Sequence, residues 1–142
     1  MSLNYYNTFI TIAPDSTALT GIVPPDKKNG LSKPSIEYEL AVDRPYVYSM
    51  EQLLYEVHLL HKGFSDQEKA ENGESIRAAF FGKSQACLRT SMLPKKYGWG
   101  IHFNKEGKLA LYPVDSPEYA HYASGADGSV KVVPAMRSAR AK

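Results

Sequence analysis

The sequence is poor in what several function classes need. It has one cysteine, Cys87, in 142 residues. That excludes an internal disulfide and a cysteine-rich zinc site. It has no run of about 18 apolar residues, the length that a membrane-crossing helix needs. No charged-then-apolar leader opens it. Neither sign of charge dominates, with 17 basic and 15 acidic side chains. Phosphate loops are missing too. Gly98-Trp99-Gly100 lacks the third glycine and the following helix that a dinucleotide loop requires. Paired carboxylates at a diagnostic spacing are absent. What remains is the profile of a single globular domain with a real core, 43% apolar, expected in the cytoplasm without a membrane span or a cofactor.

The most ordered pattern lies between Leu93 and Pro113. Trp99, Ile101 and Phe103 alternate with Gly98, Gly100 and His102, and Leu109 and Leu111 alternate with Lys108, Ala110 and Tyr112. Period-2 alternation predicts two half-buried strands. Asn104 to Gly107 between them suits a type I turn closed by glycine in the left-handed region. That turn pairs Phe103 with Leu109, Ile101 with Leu111, His102 with Ala110 and Gly100 with Tyr112. One face is then apolar. The other is a floor of small residues, Gly98, Gly100 and Ala110, edged by His102 and Tyr112. Small residues in a strand imply close approach by something: a helix, for which Ser49 to Lys62 is the expected candidate, another strand or a ligand.

Elsewhere the elements are mixed. Tyr5 to Ile12 predicts a strand with apolar groups on both faces, hence central or covered. Ala13 to Lys33 is loop, about 20 residues long, a length that often carries function. Pro34 to Asp43 fits strand by alternation and helix by its flanking prolines; helix is the chosen reading. Ser49 and Gln52 form a capping box for a helix to Lys62, with Met50, Leu53, Leu54, Val57 and Leu60 as its stripe. His61 falls inside that stripe and His58 at its edge. A short polar helix or turn from Ser65 breaks at Asn72-Gly73, and a helix runs from Glu74 to Phe81. Gln85 to Thr90 suggests a short strand. Ser116-Pro117 starts a short helix to about Ala123, and Ser129 to Val133 is a last strand. The expected class is α+β. The expected architecture is one domain over residues 1–134, its antiparallel sheet centred on the 98–112 hairpin and covered by three to four helices. Residues 135–142 form a basic tail. From Lys131 onward there are four basic groups and no acid, leaving 13 basic against 15 acidic in the body. Such a tail can contact nucleic acid, but four charges on a terminus are more often plain solvation.

Chemically active side chains are few. His58 and His61, spaced i,i+3, lack the i,i+4 spacing and intervening acid of zinc helices, so no metal is assigned. Cys87 would need a neighbouring base to act as a nucleophile. Lys95, Lys96, Tyr97 and Trp99 interleave charge and rings, but an inward Trp99 removes the best stacking group.

The segments NTFITIAPD, YEVHLLHKG, QACLRTSMLPKKYGWGIHF and GKLALYPV, with the final AMRS, resemble a family of small bacterial proteins catalogued as a domain of unknown function. The resemblance covers nearly the whole chain. It implies a single-domain bacterial protein and transfers no activity.

The expectation drawn from the residues is a binding module for a small polar or anionic ligand, or for a protein partner. The ligand would rest on Gly100, Ala110 and His102, near Tyr112, Arg89 and Cys87. The alternative is an enzyme using His102, His58 or Cys87. Nucleic-acid binding through the tail ranks third.

Overall fold

A computed structural model describes residues 5–25, 32–83 and 88–136. Four strands make one sheet in the order β3-β2-β1-β4: β1 is Thr8–Thr11, β2 Trp99–Phe103, β3 Leu109–Pro113 and β4 Lys131–Pro134. The β2–β3 register is the one that the turn dictates, with Phe103 opposite Leu109 and Gly100 opposite Tyr112. Gly107 takes φ 79° at the bulge, and its N–H closes the turn on Asn104 O at 3.0 Å. β1 lies in the interior of the sheet, antiparallel to β2 and parallel to β4. The sheet is therefore mixed, not purely antiparallel. The chain reaches β4 from β3 through a helical connection, which delivers the strand parallel to β1.

Five α-helices are present among the described residues: α1 Lys33–Asp43, α2 Met50–Lys62, α3 Asp66–Phe81, α4 Met92–Lys95 and α5 Pro117–Ala123. Ser49 and Gln52 cap α2 reciprocally, and Gly63 ends it at φ 73°. α3 carries a kink at Asn72, the place where the sequence changes from polar to apolar. Two expectations fail locally. Leu88–Thr90 is a turn of 3-10 helix, not strand, and residues 85–87 lie outside the described ones. On α2, Leu59 is buried and Leu60 is 49% exposed, so the stripe stops at Val57.

The core lies on one side of the sheet. Ile10, Ile101, Phe103 and Leu109 pack with Ile36 and Ala41 of α1 and with Met50, Leu53 and Val57 of α2. Trp99 shares that side but is only half-buried. Its ring centroid is 5.1 Å from that of Tyr38, and its indole N–H donates to Ile22 O. The early loop is thus fastened to the hairpin's end, where Ile22 N–H also donates to Tyr97 O. Each sheet edge is touched at one residue. Leu109 exchanges hydrogen bonds with Tyr46 and Tyr48 along β3. Arg89 Nε donates to Pro134 O at the end of β4.

On the other side lies α5. A methyl group built on Gly100 would meet the Phe9 ring at 2.5 Å and the Tyr119 ring at 2.7 Å. Close approach is thus the reason for glycine here, and the helix responsible is α5 rather than α2. Gly100→Ala should lower stability by about 1–3 kcal/mol, the usual cost of overpacking a filled interior. Urea unfolding measures this, and an unchanged midpoint would show that α5 can lift without loss.

Candidate functional site

Two clusters of polar side chains merit attention, one on each side of the sheet. The first contains His102. Tyr46 sets its hydroxyl 2.8 Å from His102 Nδ1 and 2.8 Å from the Tyr112 hydroxyl. Tyr122 of α5 stacks on the imidazole, with centroids 4.1 Å apart. Tyr46 follows Pro45 and stands at φ 60°, a left-handed conformation that costs a bulky residue about 1–2 kcal/mol. Its N–H donates to Leu109 O, which ties the strained residue to β3. Burial lowers the His102 pKa, opposed by the Asp127 carboxylate. Burial, then the Tyr112 phenol, pushes the Tyr46 hydroxyl far up, so it stays protonated.

This arrangement gathers His102, Gly100, Ala110 and Tyr112, as the hairpin register requires. It does not leave them as an open floor. Phe9, Tyr119 and Tyr122 fill the space, and Gly100, Ala110 and His102 are buried. Arg89 is not beside them. It sits by β4, at the opposite edge of the sheet from β3, and its Nε is engaged with Pro134 O. Cys87 lies outside the described residues, as do the loop lysines 27–28 and the end of the tail.

The second cluster lines an open cavity of about 360 Å³ on the core side of the sheet, bounded by α1, α2, α4 and the end of α3. Ligand pockets run from about 300 to 1,000 Å³, so this is a small one. Leu54, Val57, Phe80, Leu88 and Met92 give it apolar walls. Glu37, His58, Ser91 and Lys33 supply the polar groups. Glu37 is 8% exposed, and Ser91 Oγ donates to its Oε1 at 2.8 Å. The same hydroxyl accepts from Leu93 N–H, as N-cap of α4. Desolvation pushes Glu37 up to about 7, against the opposing pull of the Ser91 hydrogen bond and the Lys33 charge. His58 rests on Phe80 with centroids 4.6 Å apart. Its pKa is lowered, chiefly by desolvation, then by Lys62, Lys33, His61 and Lys83. His61, expected within the stripe, is exposed, and His58 takes the inward place. Among the described residues no three His, Cys, Asp or Glu side chains form a group able to hold a metal. None of the described helices is long and apolar enough to cross a membrane.

The sequence pattern that defines DUF6157, a family of unknown function, matches residues 1–141. The chain belongs to that family. No curated protein and no solved structure matches the chain. Membership accounts for the resemblance of the quoted segments and carries no chemistry with it. The site must be argued from its own residues.

Glu37 and Ser91 were not singled out from sequence. Read as a strand, residues 36–42 put Ile36, Tyr38, Leu40 and Val42 on one face and Glu37 on the other. Read as a helix, Ile36, Glu37, Leu40 and Ala41 share a face. A carboxylate among apolar helix neighbours was the available signal. Its consequence for stability is directional. Between pH 4.5 and about 7 folded Glu37 keeps a proton that the unfolded chain has released. Raising pH through that window therefore favours unfolding, by about 3 kcal/mol once complete. Glu37→Gln should remove this slope, so that the variant gains on the wild type from pH 5 to 8. Denaturant unfolding across that range measures it, and parallel curves would contradict a buried, proton-retaining carboxyl. Tyr46→Phe should cost about 1–3 kcal/mol by depriving buried His102 Nδ1 of its partner. An unchanged unfolding midpoint would mean that water replaces the phenol.

Proposed function

We propose that this protein is a binding module for a small molecule, held in the cavity between α1, α2 and α4 rather than on the Gly100 floor. The observation that carries this is the pairing of an open apolar cavity with a buried carboxyl whose pKa stands near neutrality. A carboxyl kept at the energetic cost of burial, in a concave site, is a functional-site candidate on physical grounds. The ligand that fits has an apolar body and one polar end. Leu54, Val57, Phe80 and Met92 cover the body, and Glu37 with Lys33 meets the polar end. The reading keeps the bacterial, cytoplasmic setting implied by the family resemblance and the single cysteine.

A second reading is an acid–base enzyme, favoured by the same carboxyl. A group that titrates near pH 7 can both take and give a proton. His58, also in the cavity wall, would then be a second proton carrier. Catalysis by His102 is less favoured, because Tyr122 stacks over its ring and the face is filled.

The test is a screen of small apolar and amphipathic compounds by protein-observed NMR. Binding in the cavity should move the signals of His58, Phe80 and Met92 and leave those of His102 and Tyr112 in place. Shifts confined to His102, Tyr112 and Tyr46 would move the site to the other side of the sheet. No shifts with any compound would remove the binding reading.

A further inference from the structure

The lining of the cavity says more than that it is apolar; it also selects the charge of the occupant. We propose that the occupant is a small monocarboxylic acid, its apolar body against Leu54, Val57, Phe80 and Met92 and its carboxylate between the Lys33 ammonium and the Glu37 carboxyl. The proposal rests on the binding reading above and narrows it to one ligand class.

Three observations support it. The first is the position of the groups. Lys33 and Glu37 stand one turn apart on α1, a spacing that puts both on the same side of the helix. Lys33 is exposed and Glu37 buried, so the cation marks the mouth and the carboxyl the interior. The second is the direction of the Ser91 hydrogen bonds. Its hydroxyl accepts from Leu93 N–H and donates to Glu37 Oε1. A protonated Glu37 then carries its hydrogen on Oε2, as a donor suited to a ligand oxygen. Sharing that hydrogen with a carboxylate gives a charge-assisted bond, the strong kind. The third is the sign of the surrounding charge. Lys33 is the lysine of the cavity lining, and its charge bears on both His58 and Glu37. Such a field attracts an anion and repels an amine, although a lone buried carboxylate would favour the amine. Glu37 resolves the conflict below about pH 7, where desolvation keeps it protonated. One negative charge fits this pattern, since Lys33 is the one lysine or arginine among the described lining residues to match it.

The proton makes the proposal testable. Above the Glu37 pKa, binding a carboxylate requires uptake of one proton, so affinity must fall as pH rises. Hexanoate, hexanamide and hexylamine serve as probes of one shape and three charges. They are titrated into the full chain from pH 6 to 9 and followed by NMR at His58 and Met92. Hexanoate is expected to bind more tightly than hexylamine at pH 6, and to lose about tenfold per pH unit above 7. Glu37→Gln supplies a permanent amide donor and should flatten that dependence. Lys33→Gln, at an exposed position, should weaken hexanoate by roughly threefold, as partly exposed charge contacts do, and leave hexanamide unchanged. Should Glu37→Gln fail to fold, the wild-type pH slope and Lys33→Gln decide alone. Hexylamine outcompeting hexanoate, or a hexanoate affinity equal at pH 6 and 9, overturns the acid class while hexanamide binding keeps the cavity reading. Silence from all three probes overturns both.

Discussion

The register of β2 is the constraint on which the rest of the structure depends. β2 pairs on both sides, with β1 and with β3, so its alternation is imposed on three strands at once. Ile101 and Phe103 face α1 and α2, and Gly100 and His102 face α5. A slip of one residue would exchange these sets. It would put tryptophan where Tyr119 needs glycine and histidine where the core needs phenylalanine. The turn at Asn104 to Gly107 fixes the register locally, because its Asn104 side chain accepts from the N–H groups of Glu106 and Lys108. A short-range device thereby sets a long-range arrangement, the face on which α5 packs.

That locality explains what was legible in the sequence. The hairpin register, the capping box of α2, the kink at Asn72 and the Ser116-Pro117 start of α5 each rest on residues a few positions apart. Their physics is complete within the segment. The parallel pairing of β4 with β1 was not legible, since Lys131 meets Thr8 across nearly the whole chain. Nothing in KVVP specifies a parallel neighbour. Arg89 shows the same limit: its place follows from the path of β4, and it binds a backbone carbonyl instead of lining a site. The small residues of the hairpin were correctly taken as a mark of close approach. What approaches them could not be read, because a seven-residue helix with two tyrosines has no periodicity long enough to announce its partner.

The candidate site was hidden for a different reason. A helix and a strand reading of residues 34–43 assign Glu37 to opposite faces, so its burial depends on settling the element first. Once α1 is helical, Glu37 lies between Ile36 and Ala41 and turns inward with them. Ser91 then becomes significant only through α4, whose start it caps while donating to Glu37. Neither residue is unusual alone. Their chemistry exists because two helices from distant parts of the chain share one wall.

The two sides of the sheet thus spend polar groups differently. On the α5 side Tyr46, His102 and Tyr112 satisfy one another, and stacking by Tyr122 leaves the small floor filled. Strain at Tyr46 is carried by that closed network, which stabilises one geometry rather than awaiting a ligand. On the helical side Glu37 has one oxygen held by Ser91 and lines an open space. A filled network gains nothing from an added molecule, whereas a desolvated carboxyl beside a cavity gains a partner. For that reason the proposed ligand is placed in the cavity and not against the histidine on the sheet.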